Sequence, residues 1–320
     1  MRAIVQPGYG PPESVELRDL PIPSPGDGQV LIRVRSSSVN AADVEVLDGF
    51  FFIRMVAPFR PAHRVVGSDV AGVVERVGAG VTDLATGDEV MGDLSEHGYG
   101  AFAEYAVAPA QAVCRLPAGL TLEDAGAVPS AAWVAIKAVR EIQPGERVLV
   151  NGGGGGMGTF ALQMAKARGA HVTAVDSAAK LELMRSLGAD EVVDYRADDV
   201  VSLGDRYDVV LDVFARRSIK EWQRVLTPAG KYRMVGGSAF RILAGFVRGR
   251  MLSRADGQSL GLLMGWPQTR SDMEETNALL ESGQVRPVIG DRFPLEEAPA
   301  ALRQVKDGRA MGKVVVDIGA

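Results

Sequence analysis

Six of the seven residues from Gly152 to Gly158 are glycine, in a run N-GGGGG-M-G that separates strand-like RVLV (147–150) from apolar FALQMAKA (160–167). A turn this bare of Cβ atoms lets another molecule approach the backbone where a strand passes into a helix. Gly153-x-Gly155-x-x-Gly158 has the spacing of a dinucleotide-binding fingerprint, with Gly156 and Met157 opening the helix whose N–H groups would meet a pyrophosphate. Asp176 closes the next strand-like run, HVTAV (171–175), where an acid is expected to bond the adenosine ribose hydroxyls. Glycine runs match such a spacing by chance; the flanking strand, helix and acid give this one its weight.

The middle of the chain alternates strand and helix. Strand-like runs occur at RVLVN (147–151), HVTAV (171–175), DEVVDY (190–195), DVVLDV (208–213), KYRMVG (231–236) and LGLLMG (260–265). Leu181, Met184 and Leu187 recur three apart, on one helix face. Apolar strands joined by helical crossovers predict an α/β fold with a Rossmann-type, doubly wound parallel sheet, its ligand across the strands' carboxyl ends. Those ends carry Val213 and Phe214 after the fourth strand, and Gly236, Gly237 and Ser238 after the fifth, all expected as cofactor contacts.

The first third is β-rich, with VLIRV (30–34), VAGVVERV (70–77), DEVM (88–91) and AFAEYAV (101–107) separated by turn residues, which predicts an antiparallel, barrel-like domain. Pro21, Pro23 and Pro25 mark an extended loop. The last third holds a helix near Ser271–Glu281, a second near Leu295–Lys306 and a final strand, GKVVVDI. This tail is expected to return to the first domain. Residues 1–120 with 266–320 then form a substrate domain and 121–265 the dinucleotide-binding domain, with a ligand cleft at their interface.

Bulk properties remove whole classes. Net charge is −5 over 320 residues, with no basic footprint for nucleic acid. The single cysteine, Cys114, excludes an internal disulfide and a Cys-rich zinc site. No apolar stretch approaches transmembrane length and no secretory leader opens the chain, so a cytoplasmic location is expected. Of the three histidines, His171 begins a strand and is expected to be exposed, whereas His63 and His97 lie in loops that can line a cleft.

Taken together, SVNAAD (38–43), GSDVAGVVERVG (67–78), GDEVMG (87–92), GAFAEYAV (100–107), PGERVLVNGGGGGMGTFALQMAK (144–166), SLGADEVVDY (186–195), LTPAGKYRMVGG (226–237) and GKVVV (312–316) resemble the zinc-independent, quinone-oxidoreductase-like branch of the medium-chain dehydrogenase/reductase superfamily. The resemblance runs nearly end to end. It implies a GroES-like substrate domain beside the Rossmann domain, and a homodimer, for which the edge strand near Leu260–Gly265 is the expected seam. It also implies reduction, by NADH or NADPH, of a small hydrophobic quinone or of the C=C bond of an α,β-unsaturated carbonyl compound. Zinc-dependent relatives have Cys where this chain has Asn40 and His-Glu where it has Ser68-Asp69, so no metal is expected.

The same resemblance selects site residues. Asn40 matches the family Asn beside nicotinamide and substrate, and a neutral amide can orient either; a turn-forming Asn bonded to its own backbone is the alternative. Asp43 reads first as a cap and Asp69 as structural. Several relatives have a proton-donating tyrosine where this chain has Gly49-Phe50-Phe51-Phe52. Tyr99 is the substitute candidate, with Phe50, Phe51, His97 and Trp133 around the substrate. The run FFFIRMVAPF admits core packing, an apolar lid, or membrane contact through Phe and Arg. Asp176 favours NADH, since a 2′-phosphate beside it is repelled. The family more often uses NADPH, and Ser177 and Lys180 can bind that phosphate if Asp176 turns away, with Tyr195 near the adenosine phosphate. Two alternatives stand beside reduction of enones or quinones: a pathway-specific oxidoreductase, and a nucleotide-binding protein without turnover.

Overall fold

The structure is a computed structural model that describes residues 1–237, 253, 257–263 and 268–319. Two compact units divide the chain: Met1–Trp133 with Pro267–Glu281 and Pro287–Ala320, and Val134–Trp266 with Ser282–Arg286. The first unit runs past residue 120 because the following segment is tied into it. Gly126 N–H donates to Ser36 Oγ at 3.1 Å and Ser130 N–H to Asp69 Oδ1 at 2.8 Å.

The first unit is built round an 11-residue strand, Gln29–Val39, which pairs with three others. Its sheet runs Ile289–Pro294, Lys313–Asp317, Gln29–Val39, Asp69–Val77, Glu89–Asp93 and Val113–Arg115, with Tyr105–Pro109 also on Gln29–Val39. All pairings are antiparallel except the first, Ile289–Pro294 with Lys313–Asp317. Register shifts at Leu31/Ile32 and Val34/Ser36 bend the long strand, as β-bulges do. Val30, Ile32, Val70, Val74, Val90 and Phe102 form the heart of its core. The expected strand at 101–107 begins only at Tyr105; Ala101–Ala103 are buried, and Ala103 makes a single bridge to Ala3.

The second unit has the doubly wound parallel sheet. In space its strands run Glu191–Asp194, His171–Asp176, Arg147–Asn151, Tyr207–Asp212, Leu226–Met234 and Ser259–Leu262, the Rossmann order 3-2-1-4-5-6. Near-continuous apolar strands are buried from both faces, as Val148, Leu149 and Val150 are. The register sets Asn151 opposite Asp212 and Val175, and Asp212 opposite Met234. Ser238, and Met264 and Gly265 of the expected seam, lie outside the described residues.

Candidate functional site

In the second unit the strand Arg147–Asn151 ends at Gly152, whose φ of +90° belongs to glycine. The helix Gly156–Ala167 starts with Gly155 as an N-cap that no side chain bonds. Its first-turn N–H groups at Gly156, Met157 and Gly158 have no carbonyl within the helix. A Cβ on Gly158 would lie 2.0 Å from the Gly152 carbonyl oxygen, so the third fingerprint glycine is required for the turn to close on the helix. At Gly155 the nearest atom to a Cβ is 3.5 Å away, which leaves the approach to the backbone open. A cradle of bare N–H groups at a helix N-terminus fits a pyrophosphate.

Gly154, which the fingerprint treats as a spacer, has its own function. A Cβ there would come within 2.7 Å of the Lys180 stem, because that side chain folds across the loop. Lys180 Nζ then lies 3.4 Å from Asp176 Oδ1, both side chains only 11% exposed. Asp176 also accepts from Gly154 N–H (3.1 Å) and Ser177 N–H (2.8 Å). Asp176, Ser177 and Lys180 are therefore one bonded group. Tyr195 is attached to the same corner through its N–H, 3.1 Å from the Asp176 carbonyl oxygen, and Arg196 covers its half-exposed ring.

Beneath the loop lies a buried carboxylate that sequence reasoning missed. Asp212 Oδ1 accepts from Asn151 Nδ2 at 2.7 Å, and Oδ2 from Trp222 Nε1 (2.7 Å) and Tyr232 Oη (2.8 Å). Burial pushes this carboxyl up from the usual range, and those three donors, with the Phe214 N–H, oppose the shift. The network ties the last residues of the strands Arg147–Asn151 and Tyr207–Asp212 to Trp222 and to Tyr232 of the neighbouring strand. Val213 and Phe214 adjoin it, their Cβ atoms 3.4 and 3.7 Å from where a Gly152 Cβ would sit. Phe214 is 51% exposed beneath the Arg216 guanidinium, while Gly236 and Gly237 follow the neighbouring strand.

The first unit gathers a second cluster. Asn40 caps the helix Ala41–Asp48, and the Asp43 carboxylate accepts the Asn40 N–H at 2.7 Å, the cap expected of Asp43. The Asn40 amide is engaged elsewhere. Its Nδ2 donates to Ser68 Oγ (3.1 Å) and Asp69 Oδ2 (2.8 Å), and its Oδ1 accepts from Lys313 Nζ at 2.6 Å. The Asp69 carboxylate, expected to bond neighbouring backbone, instead accepts from Ser38 Oγ, Asn40 Nδ2, Lys313 Nζ and the distant Ser130 N–H. Asp93 lies opposite Asp69 in the strand register. Burial, then the Asp69 charge, pushes Asp93 up to about 6; burial pushes Asp43 up to about 7. Asp43 Oδ1 and Asp93 Oδ2 are buried without a hydrogen-bond partner, so no donor on those oxygens offsets the effect of burial.

Tyr99 has a φ of +58°, the only positive value among the described non-glycine residues, between Gly98 (+100°) and Gly100 (+106°). Three successive left-handed residues fix a half-buried phenol near this cluster. Burial, then the charges of Asp43, Asp93 and Glu45, push its pKa up, so it keeps its proton. His63 packs beside it, ring centroids 6.1 Å apart, whereas His97 and His171 are exposed.

Two expectations change. Trp133, placed in the substrate pocket by sequence, is fully buried. Its helix, Pro129–Val139, carries apolar residues all round, and such a helix is enclosed rather than presenting one face. The run after Gly49 is not core packing: Phe50 is half-buried, but Phe51 is 62%, Val56 86% and Phe59 90% exposed. The short helix Phe51–Val56 stops before Pro58, leaving these side chains pointing outward.

The chain matches the Alcohol dehydrogenase GroES-like domain family over residues 26–118 and the Zinc-binding dehydrogenase family over residues 187–316. Among the described residues no group of three or more His, Cys, Asp or Glu side chains is placed to hold a metal ion. A chloroplastic quinone-oxidoreductase of Triphysaria versicolor is 30% identical over 99% of this chain and 98% of its own length. The chloroplastic NADPH-dependent alkenal/one oxidoreductase of Arabidopsis thaliana is 32% identical over 99% of this chain and 79% of its own. The solved quinone oxidoreductase of Coxiella burnetii superposes with a TM-score of 0.89 at 25% identity, covering 100% of this chain and 99% of that one. Similar over nearly its whole length to these reductases, the chain belongs to the zinc-independent, quinone-oxidoreductase-like branch of the medium-chain dehydrogenase/reductase superfamily.

Proposed function

We propose that the chain is an NAD(P)H-dependent reductase of α,β-unsaturated carbonyl compounds or quinones, with NADH preferred. The observation that carries this reading is the Gly152–Gly158 turn, where a Cβ on Gly158 would strike the Gly152 carbonyl and the helix N-terminus is left uncapped. Bound there, a reduced nicotinamide supplies hydride to an electrophilic carbon. The N–H groups of Gly156, Met157 and Gly158 hold the pyrophosphate. Asp176 takes the adenosine ribose; its oxygens already accept two N–H bonds and face Lys180, so a 2′-phosphate would require Lys180 to swing away from Asp176.

On the substrate side, Tyr99 retains its proton and donates a hydrogen bond to the oxygen on which negative charge develops. Asn40 is a fixed wall, its amide hydrogens already used by Ser68 and Asp69. The α-carbon of the enolate formed from an enone, or the oxyanion of a reduced quinone, takes its proton from solvent. A homodimer pairing at the sheet edge Ser259–Leu262 is part of the same proposal.

Stopped-flow oxidation of NADH and NADPH by a panel of enones and quinones tests the activity. Turnover with at least one class supports the proposal. Tight nucleotide binding with no oxidation across the panel would instead assign the chain to nucleotide binding without turnover.

A further inference from the structure

The helix Phe51–Val56 and the loop after it hold apolar side chains in water. Met55 is 67% exposed, Val56 86% and Phe59 90%. Large apolar groups bunched at the surface mark contact sites, since water solvates them poorly. The backbone that presents them is tied down by polar contacts. Tyr9 Oη donates to the Ala57 carbonyl at 2.6 Å, Gln6 Nε2 to the His63 carbonyl at 2.9 Å, and Arg54 Nε to the Gly49 carbonyl at 3.0 Å. The Arg54 guanidinium also stacks 4.5 Å from the Tyr9 ring centre. The protruding groups therefore stand on a fixed platform.

Charge identifies the occupant. From Gly49 to Ser68 there is no Asp or Glu, but there are Arg54, Arg60 and Arg64, in a chain whose net charge is −5. Arg60 and Arg64 are exposed, and neither side chain enters an ion pair among the described residues. Apolar groups beside unpaired cations match a surface that is negative outside and apolar just beneath, which is an anionic bilayer. Among the described residues no helix is long and apolar enough to cross a membrane, so the contact is peripheral.

We propose that Met55, Val56, Phe59, Arg60 and Arg64 form a docking face for an anionic lipid surface, the apolar groups entering the headgroup boundary and the arginines meeting lipid anions.

The test is co-sedimentation of the full chain with vesicles of phosphatidylcholine alone and of phosphatidylcholine mixed three to one with phosphatidylserine. Binding to the mixed vesicles is expected, weakened by salt and lost in a Val56→Ser/Phe59→Ser variant. Arg60→Ser/Arg64→Ser should weaken it roughly tenfold or more, because each basic residue at an anionic surface contributes about fivefold. All four side chains are exposed, so both variants should melt like the wild type, and Leu203→Ser, half-exposed elsewhere, should bind like it. Wild type that stays in the supernatant with the mixed vesicles overturns the proposal, as does binding undiminished in both variants. A dimer dissociated by Phe59→Ser, with no vesicle binding, would also overturn it and assign the face to a second copy of the chain.

Discussion

Lys313 Nζ lies 2.6 Å from Asn40 Oδ1, joining the strand Lys313–Asp317 to the cap of the helix Ala41–Asp48. A lysine only donates, so the amide oxygen must face it and Nδ2 must face Ser68 and Asp69. Lys313 thus fixes the orientation of Asn40 as well as balancing the charge of Asp69, 3.2 Å away. Both ions are buried, at 2% and 0% side-chain exposure. Lys313→Met would leave Asp69 charged and unpaired, at a stability loss of about 3–5 kcal/mol. Urea denaturation checks this, and Lys313→Met/Asp69→Asn should recover part of the loss. Arg18→Met, which breaks a pair 43% and 50% exposed, should change stability by less than about 1 kcal/mol.

Gly158→Ala should weaken nucleotide binding while leaving the first unit's core intact. Its Cβ would meet backbone, the Gly152 carbonyl at 2.0 Å, which cannot move aside as a flexible side chain can. The turn must open, and the N–H groups lose their common aim. Calorimetric titration should show nucleotide affinity reduced by about tenfold or more, each tenfold being about 1.4 kcal/mol. Undiminished affinity would remove the loop from the binding site.

The cluster round Asp69 should make stability depend on pH in an unusual direction. Asp93 rises from 3.8 to about 6 and Asp43 from 3.8 to about 7, so between these values the folded chain holds protons that the unfolded chain releases. Their contribution is complete below the unfolded value and is lost as pH rises through the folded ones, so stability falls from about pH 4 to pH 7 on their account. Asp93→Asn keeps an acceptor for the Ser95 N–H without the charge. The variant should gain on the order of 1 kcal/mol over wild type at pH 8 and nothing at pH 4, by urea midpoints at the two pH values.

These features differ in how plainly the chain announces them. The parallel sheet is legible because strands buried on both faces must be apolar throughout, and the glycine turn because its requirement for absent Cβ atoms is local. Lys313 and Asn40 are 273 residues apart. Only a lysine opening an otherwise apolar strand, GKVVV, hints that the ammonium has a buried partner. Asp212 is hidden in the same way, since its donors Trp222 and Tyr232 come from the crossover and strand that follow. The burial of Trp133 is legible from pattern rather than residue type, because apolar residues on every side of a helix signal enclosure. Apolar composition cannot by itself tell a packed Phe59 from an exposed one. The two prolines at 58 and 61, which stop the helix from continuing, are the local sign.

Asp176→Ser tests how the adenosine end is recognised. In the wild type the carboxylate holds Lys180 at 3.4 Å, and in the proposed site it repels a second anion and so favours NADH. Two unit charges about 4 Å apart interact by about 1 kcal/mol in water and about 4 at an effective dielectric near 20, enough to reverse a preference. Replacing Asp176 removes the repulsion and frees Lys180 for a 2′-phosphate, with the serine hydroxyl as an added donor. The ratio of kcat/KM for NADPH to that for NADH should therefore rise by about tenfold or more, chiefly through KM for NADPH. Lys180→Met in the same background should return the ratio toward its wild-type value. A wild type that already strongly prefers NADPH would defeat this account and would mean that the Asp176–Lys180 pair opens when the nucleotide binds.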